Sequence, residues 1–274
     1  MLEVVEVRGL SIVQDGGRPG RMHEGVPPGG ALVPEQLARA NAAVCNAHEA
    51  AAIEVFGAIV LRARAPVVIA GDEGTAVRLD TDAVWSSAQA AKHGLMQYVA
   101  VRGGIDVPPV LGGRGTLLVA ALGGYEGRAL RRGDVLAVGN TEEVDRSPPP
   151  QPDLQAPIHV LPGPDADRFD GRALDVLLGG EFAVSPRRDR VGMALTGPAL
   201  PRLDTDRGVS APMVRGAIQV PASGQAIVLG PDHPTTGGYP VVATVVRASL
   251  GALAARAPGA LVRFARVSSA GGRG

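Results

Sequence analysis

The sequence predicts a mainly β protein with a few short helices, and three features carry that prediction. The chain of 274 residues holds 38 Gly and 23 Pro, too many breakers to leave room for long helices. Several short segments alternate apolar and polar residues with period two, as strands with one wet face do. The stretch Ser147-Pro148-Pro149-Pro150-Gln151-Pro152, continuing to Pro157, separates two strand-rich parts. Consecutive prolines force extended backbone and cannot join a central sheet, so this stretch reads as a semi-rigid linker. The expected division is 1–146, a linker over 147–157, and 158–270, with exchange of segments across the linker allowed for.

Taken in order, strands are expected at 3–7, 11–14, 59–63, 67–70, 75–79, 96–102, 117–120 and 134–138. After the linker they are expected at 158–161, 181–184, 225–229, 240–246 and 261–267. A helix over 34–44 follows from Pro34 in the first turn, Glu35 near the positive end of the helix dipole, and an Ala/Leu-rich body. A second over 47–56 follows from Ala51, Ala52 and Val55 sharing one face while Glu49 and Glu54 lie off it. Short helices over 168–177 and 247–256 complete the set, with Ala257-Pro258-Gly259 stopping the last. No repeat of solenoid or propeller length is present.

Composition excludes several function classes. With 27 basic and 27 acidic residues the net charge is zero, so there is no electrostatic footprint for nucleic acid or an anionic membrane. Every basic residue except Lys92 is arginine. Cys45 is the sole cysteine, which excludes an internal disulfide and a multi-cysteine metal site. Charges interrupt the N-terminal seven residues where a signal peptide needs an apolar run, and no stretch approaches the ~20 apolar residues of a membrane span. The chain reads as cytoplasmic.

Four constellations could carry chemistry. In Gln14-Asp15-Gly16-Gly17-Arg18 a carboxylate and a guanidinium flank a glycine turn. Such an arginine could grip an anion bidentately while the carboxylate orients it; alternatively Asp15 caps its own turn. Arg102-Gly103-Gly104 and Gly112-Gly113-Arg114-Gly115-Thr116 could form anion-binding amide nests or simply close a barrel rim. Neither fits a P-loop. The third is Asp189-Arg190. The fourth, Thr235-Thr236-Gly237-Gly238-Tyr239, follows the segment Ala217-Ile218-Gln219-Val220-Pro221 and joins hydroxyls, amides and a carboxamide at a strand-to-strand turn. Its plainer reading is a tight hairpin with a buried tyrosine. His23, His48, His93, His159 and His233 are scattered without metal-ligand spacing, and no serine sits in a nucleophile elbow.

Several of these motifs, in this order and spacing, resemble the carboxyltransferase-domain family, which includes allophanate hydrolase subunit 2 and the C subunit of bacterial 5-oxoprolinase. The resemblance runs from about Val7 to about Val267. It rests on Ser11-Ile12-Val13-Gln14-Asp15-Gly16-Gly17-Arg18-Pro19-Gly20, Gly25-Val26-Pro27, Ala40-Asn41, Asn46 and Ile53-Glu54. It continues through Tyr98-Val99-Ala100-Val101-Arg102-Gly103-Gly104-Ile105-Asp106-Val107-Pro108, Gly123-Gly124-Tyr125-Glu126-Gly127-Arg128, Gly133-Asp134-Val135-Leu136 and the block 235–240.

The resemblance implies two cyclophilin-like β-barrel subdomains. It further implies a subunit of an ATP-dependent amidohydrolase acting on a small cyclic or ureido amide, inactive alone. Its partners would be a cognate half-domain subunit, like the B subunit of 5-oxoprolinase or allophanate hydrolase subunit 1, and a third, hydrolytic subunit. ATP would be used with those partners, and no Met-Lys site for attaching biotin is present. Arg18 and Arg190 would be charge clamps, Asp15 and Asp189 their orienters. Gln219, Thr235, Thr236, Gly237, Gly238 and Tyr239 would bind substrate. Two other roles known in the family are antagonism of a kinase inhibitor and one half of a biotin-dependent carboxyltransferase. Polar groups of the family pattern are missing here: Gly29 replaces a hydroxyl and Val33 a carboxylate, Gly113 and Gly115 two hydroxyls, Ala194 an arginine, Ala211 a glutamate and Pro234 a glutamine. These losses favour a binding role over unaided catalysis.

Overall fold

The computed structural model describes residues 1–87, 96–140, 144, 147–204, 206 and 208–267. It divides into two compact units, Met1–Arg21 with Pro28–Pro152, and Met22–Pro27 with Asp153–Gly274. Both are built on β-sheet, with three short α-helices among the described residues.

The first unit contains β1 (Leu2–Gln14), α1 (Pro34–Ala43), β2 (Ala52–Ala63), β3 (Val67–Gly71), β4 (Ala76–Leu79), β5 (Val84–Ser86), β6 (Met96–Val101) and β7 (Val135–Leu136). Its sheet runs β4-β3-β6-β2-β1-β7, with β5 also on β2, so it is an open, half-barrel sheet. The two predicted strands at 3–7 and 11–14 are one strand, which pairs antiparallel with β2 along its whole length. At its centre Gly9 faces Gly57, both with positive φ. A Cβ on Gly9 would run into the carbonyl oxygen of Phe56, so only glycine lets the two backbones cross there. Ile53, Ile59, Leu61, Ile69, Val99 and Leu136 meet in the core. Each such fully buried side chain contributes about 1.5–3 kcal/mol.

The helix expected over 47–56 is not formed: residues 52–63 are β2. The Ala-rich start fits either state, but Ile53 and Val55 are β-branched and β2 has β1 on one side and β6 on the other. Sheet pairing and burial outweigh a weak helix propensity. The segment predicted as a strand over 117–120 instead holds a 3-10 turn, Leu118–Ala120. The helix over 34–44 forms as α1, with Pro34 in its first turn. Its entry is clamped by a buried pair: the Leu32 amide donates to Glu54 Oε2 (2.9 Å) and the Val33 amide to Tyr98 Oη (3.1 Å). Tyr98 Oη in turn donates to Glu54 Oε2 (2.5 Å). The exit is held by Asn41 and Asn46, whose carboxamides bond each other and the backbone of His48, Ala50, Val101 and Gly103. Buried polar groups matched in this way rigidify a core.

The second unit contains β8 (Ile158–Pro162), α2 (Ala173–Gly179), β9 (Phe182–Arg188), β10 (Gly192–Thr196), β11 (Ala211–Pro212), β12 (Ala217–Gln219), β13 (Ile227–Leu229), β14 (Thr236–Gly237), β15 (Val241–Val245), α3 (Arg247–Ala254), β16 (Leu261–Val262) and β17 (Phe264–Arg266). The main sheet runs β16-β9-β10-β13-β12-β15-β8-β17. Its two end strands are consecutive in the chain, with Arg263 alone between them. One short segment therefore pairs with β9 at one end of the path and β8 at the other, nearly closing a barrel. Ile158, Phe182, Leu195, Ile218, Val242 and Phe264 fill it, with Phe182 and Phe264 edge to face at 5.7 Å. Strands β10 and β12 are too short and apolar for alternation to reveal. Among the described residues no helix is long and apolar enough to cross a membrane.

Candidate functional site

In the first unit the 15–18 turn is bound to a loop a hundred residues away. Asp15 Oδ1 accepts from the amides of Gly17 (2.8 Å) and Gly115 (3.1 Å), and Oδ2 from the Arg114 amide (2.5 Å). The amides of Arg114 and Gly115 are therefore occupied, and their anion is the protein's own carboxylate. Arg18 is 1% exposed; Nε donates to Val110 O (3.3 Å) and Nη2 donates to Gly115 O. Asp15 takes donors and Arg18 takes acceptors from one loop, so together they staple the 15–18 turn to residues 110–115. Gly17 has φ +89, and a Cβ on it would lie 2.5 Å from Pro28 O, so the staple also requires glycine there.

Of the other glycine turn, the Gly103 amide donates to Asn46 Oδ1 (2.9 Å) and Arg102 Nε to Val44 O (3.4 Å). Asp72, at the end of β3, has its carboxyl raised to about 6 by burial, with amide hydrogen bonds opposing. Sequence reasoning gave no sign of this group.

In the second unit Gln219 lies against the 235–239 block, and Arg190 pairs with Asp232, three residues before that block. The β10–β13 ladder continues into the loops at its end: the Gly230 amide donates to Val191 O (2.8 Å) and the Asp232 amide to Arg190 O (2.9 Å). That register sets Asp232 opposite Arg190, and the guanidinium grips the carboxylate with two bonds, Nε–Oδ2 2.7 Å and Nη2–Oδ1 3.0 Å. Both side chains are 6% exposed. Asp189 is therefore not the carboxylate that orients Arg190. It is exposed and caps its own turn, accepting from the amides of Val191 (2.8 Å) and Gly192 (3.0 Å). Neighbours in sequence on a tight turn point apart, which is why the partner comes from 42 residues on.

His233 follows Asp232 and is wholly buried. Its Nδ1 lies 2.9 Å from Pro234 O. Beyond it, the Thr235 carbonyl accepts from the Met213 amide (3.0 Å), and β14 pairs with β11 as a separate two-stranded ribbon. The Gly238 carbonyl accepts from the Gly208 amide (2.6 Å). Gln219, 7% exposed, places Nε2 3.3 Å from Tyr239 O and 3.2 Å from Met213 Sδ. Thr236 is exposed; Thr235, Gly237, Gly238 and Tyr239 are half-buried. The segment is thus a braced, partly open strip of hydroxyls, amides and a carboxamide. The side chains of Gln219 and residues 235–239 carry no charge, so the strip presents neutral hydrogen-bonding groups. Among the described residues no group of His, Cys, Asp and Glu could hold a metal ion; Lys92 and His93 lie outside them.

A family model for the carboxyltransferase domain, subdomains A and B, matches residues 24–266. The chain is 34% identical to the C subunit of 5-oxoprolinase from Escherichia coli, over 98% of its own length and 92% of that protein's. In structure it resembles TTHA0988 with a TM-score of 0.82 and 31% identity, covering 96% of this chain and 55% of that one. It also resembles the urea amidolyase of K. lactis, with a TM-score of 0.84 and 26% identity, covering 97% of this chain and 19% of that one. The chain thus spans nearly all of the bacterial subunit, about half of TTHA0988 and about a fifth of the amidolyase.

Proposed function

We infer the role of this chain from one premise: it belongs to the carboxyltransferase-domain family, subdomains A and B. It is the C-type subunit of a cytoplasmic, ATP-dependent amidohydrolase complex of the 5-oxoprolinase kind, acting on a small cyclic or ureido amide. The observation that carries this reading is the match to the 5-oxoprolinase C subunit over almost the full length of both chains. The uncharged side chains of the 219 and 235–239 strip support it, since an amide group is matched by hydroxyls, amides and a carboxamide. In this reading Gln219, Thr235, Thr236, Gly237, Gly238 and Tyr239 meet the substrate. Arg190, balanced by Asp232, and Asp189, through its turn, position that strip, while Asp15 and Arg18 position the loop over 110–115. ATP is used with the partner subunits, and the two subdomains are residues 1–146 and 158–270, with the segment 22–27 exchanged into the second.

Such a subunit needs a mate, because the polar positions missing from the family pattern leave it few groups for chemistry of its own. Co-expression with the cognate half-domain subunit is expected to give one larger species on size-exclusion chromatography. Separate elution of the two proteins at micromolar concentration contradicts the reading. A stable complex that turns over no amide points instead to the regulatory, binding role.

A further inference from the structure

His233 is fully buried, and its surroundings fix its protonation state. Pro234 O, 2.9 Å from Nδ1, can only accept, so Nδ1 carries the proton. In the neutral ring Nε2 is then a lone pair, and among the described residues it has no hydrogen-bond partner. Protonating it would bury an N–H with no acceptor and a second cation beside Arg215. The charged groups facing the ring are Arg215, just before β12, and Asp232, which is already gripped by Arg190. An imidazolium would therefore find the nearby carboxylate already paired. Burial, reinforced by Arg215, holds the ring below the usual imidazole range, against the opposing pull of Pro234 O and Asp232.

We propose that Arg190, Asp232 and His233 form an acid-sensitive latch that holds the 235–239 strip in place while His233 is neutral and releases it when His233 takes a proton. The ring is bonded to the carbonyl immediately before Thr235, so losing its seat frees the first peptide of the strip. The sign follows from linkage. A histidine depressed in the folded state contributes stability above its unfolded value near 6.5, and that stability is lost as pH falls through the lower folded value. As regulation of a binding site the latch rests on the proposed function; as a property of the fold it does not, so it is tested on the chain alone.

Nitrogen NMR of the imidazoles reads the first half. His233 is expected to stay neutral, protonated at Nδ1, at a pH where ordinary histidines near 6.5 are half charged; a ring titrating at or above that value overturns the latch. Amide exchange at 235–239, corrected for the intrinsic effect of pH, reads the second. Between pH 7.5 and 5 protection is expected to fall several-fold in the wild type and less than ~2-fold in His233→Gln. Equal loss in both proteins, or loss in neither, overturns it. If His233→Gln does not fold, His233→Asn takes its place, and the titration of the unaltered chain decides independently. Neither readout depends on substrate or partner, so failure of the latch leaves the proposed function standing, and the reverse holds too.

Discussion

Asp232→Ala is expected to destabilise the second unit by about 3–5 kcal/mol, because it strips a buried guanidinium of its carboxylate. Arg190 and Asp232 are each 6% exposed and joined by two short bonds, so solvent screens the charge poorly. Replacing both residues with apolar ones of similar volume, Arg190→Met with Asp232→Leu, should recover most of that loss, since the desolvation penalty of both ions disappears together. Asp189→Ala, at an exposed turn cap, should cost roughly 1 kcal/mol or less. Hydrogen exchange of the β10 and β13 amides reads the second unit separately, which matters because a two-unit chain need not unfold in one step. If Asp232→Ala costs under about 1 kcal/mol, or Asp189→Ala costs as much, the pairing described here is wrong.

Asp15→Ala and Arg18→Ala are expected to destabilise the first unit by about 3 kcal/mol or more each, with the double variant well short of the sum. Asp15 accepts three backbone amides, and orphaning a buried donor costs ~1–3 kcal/mol. Arg18→Ala leaves the carbonyls of Val110 and Gly115 without that donor and opens a void where a 1% exposed side chain stood. Because both residues fasten the same loop, their effects couple. Asp15→Asn, which keeps one accepting oxygen, should fall between wild type and Asp15→Ala. The competing role, a charge clamp on a reacting group, gives the opposite pattern. There Arg18→Ala would cut activity of the complex by ~10²-fold while leaving the melting temperature nearly unchanged.

Much of the fold is legible in the sequence because alternation and breakers act locally. Strands such as β8 show their period, with Ile158 and Val160 buried on either side of exposed His159, and Pro34 with Glu35 marks the start of α1. The segment 47–56 misleads because Ala51, Ala52 and Val55 also fit a helical face; what makes it a strand is pairing to β1 and β6, which no local window contains. The site is legible at the level of which residues matter and not of what they touch. Asp15, Arg18, Arg190, Gln219 and 235–239 all stand out as motif residues. Asp15 finds its donors 99 and 100 residues away, and Arg190 its carboxylate 42 residues away. Asp189, the adjacent carboxylate, is the natural guess and the wrong partner, because chain adjacency on a turn does not mean side-chain contact. Asp232 and His233 carried a faint signal, a carboxylate and an imidazole just before a motif block, and only the ladder register shows the use of Asp232.

The most direct test of the proposed function is an omission experiment on the reconstituted complex. The half-domain subunit, the hydrolytic subunit and this chain are mixed with ATP and a small cyclic amide such as 5-oxoproline, and ring opening and ATP hydrolysis are followed together. The account predicts amide opening coupled to ATP hydrolysis with all three proteins, and loss of that coupling when this chain is left out. Equal turnover with and without the chain, under conditions where the complex is intact, would contradict it.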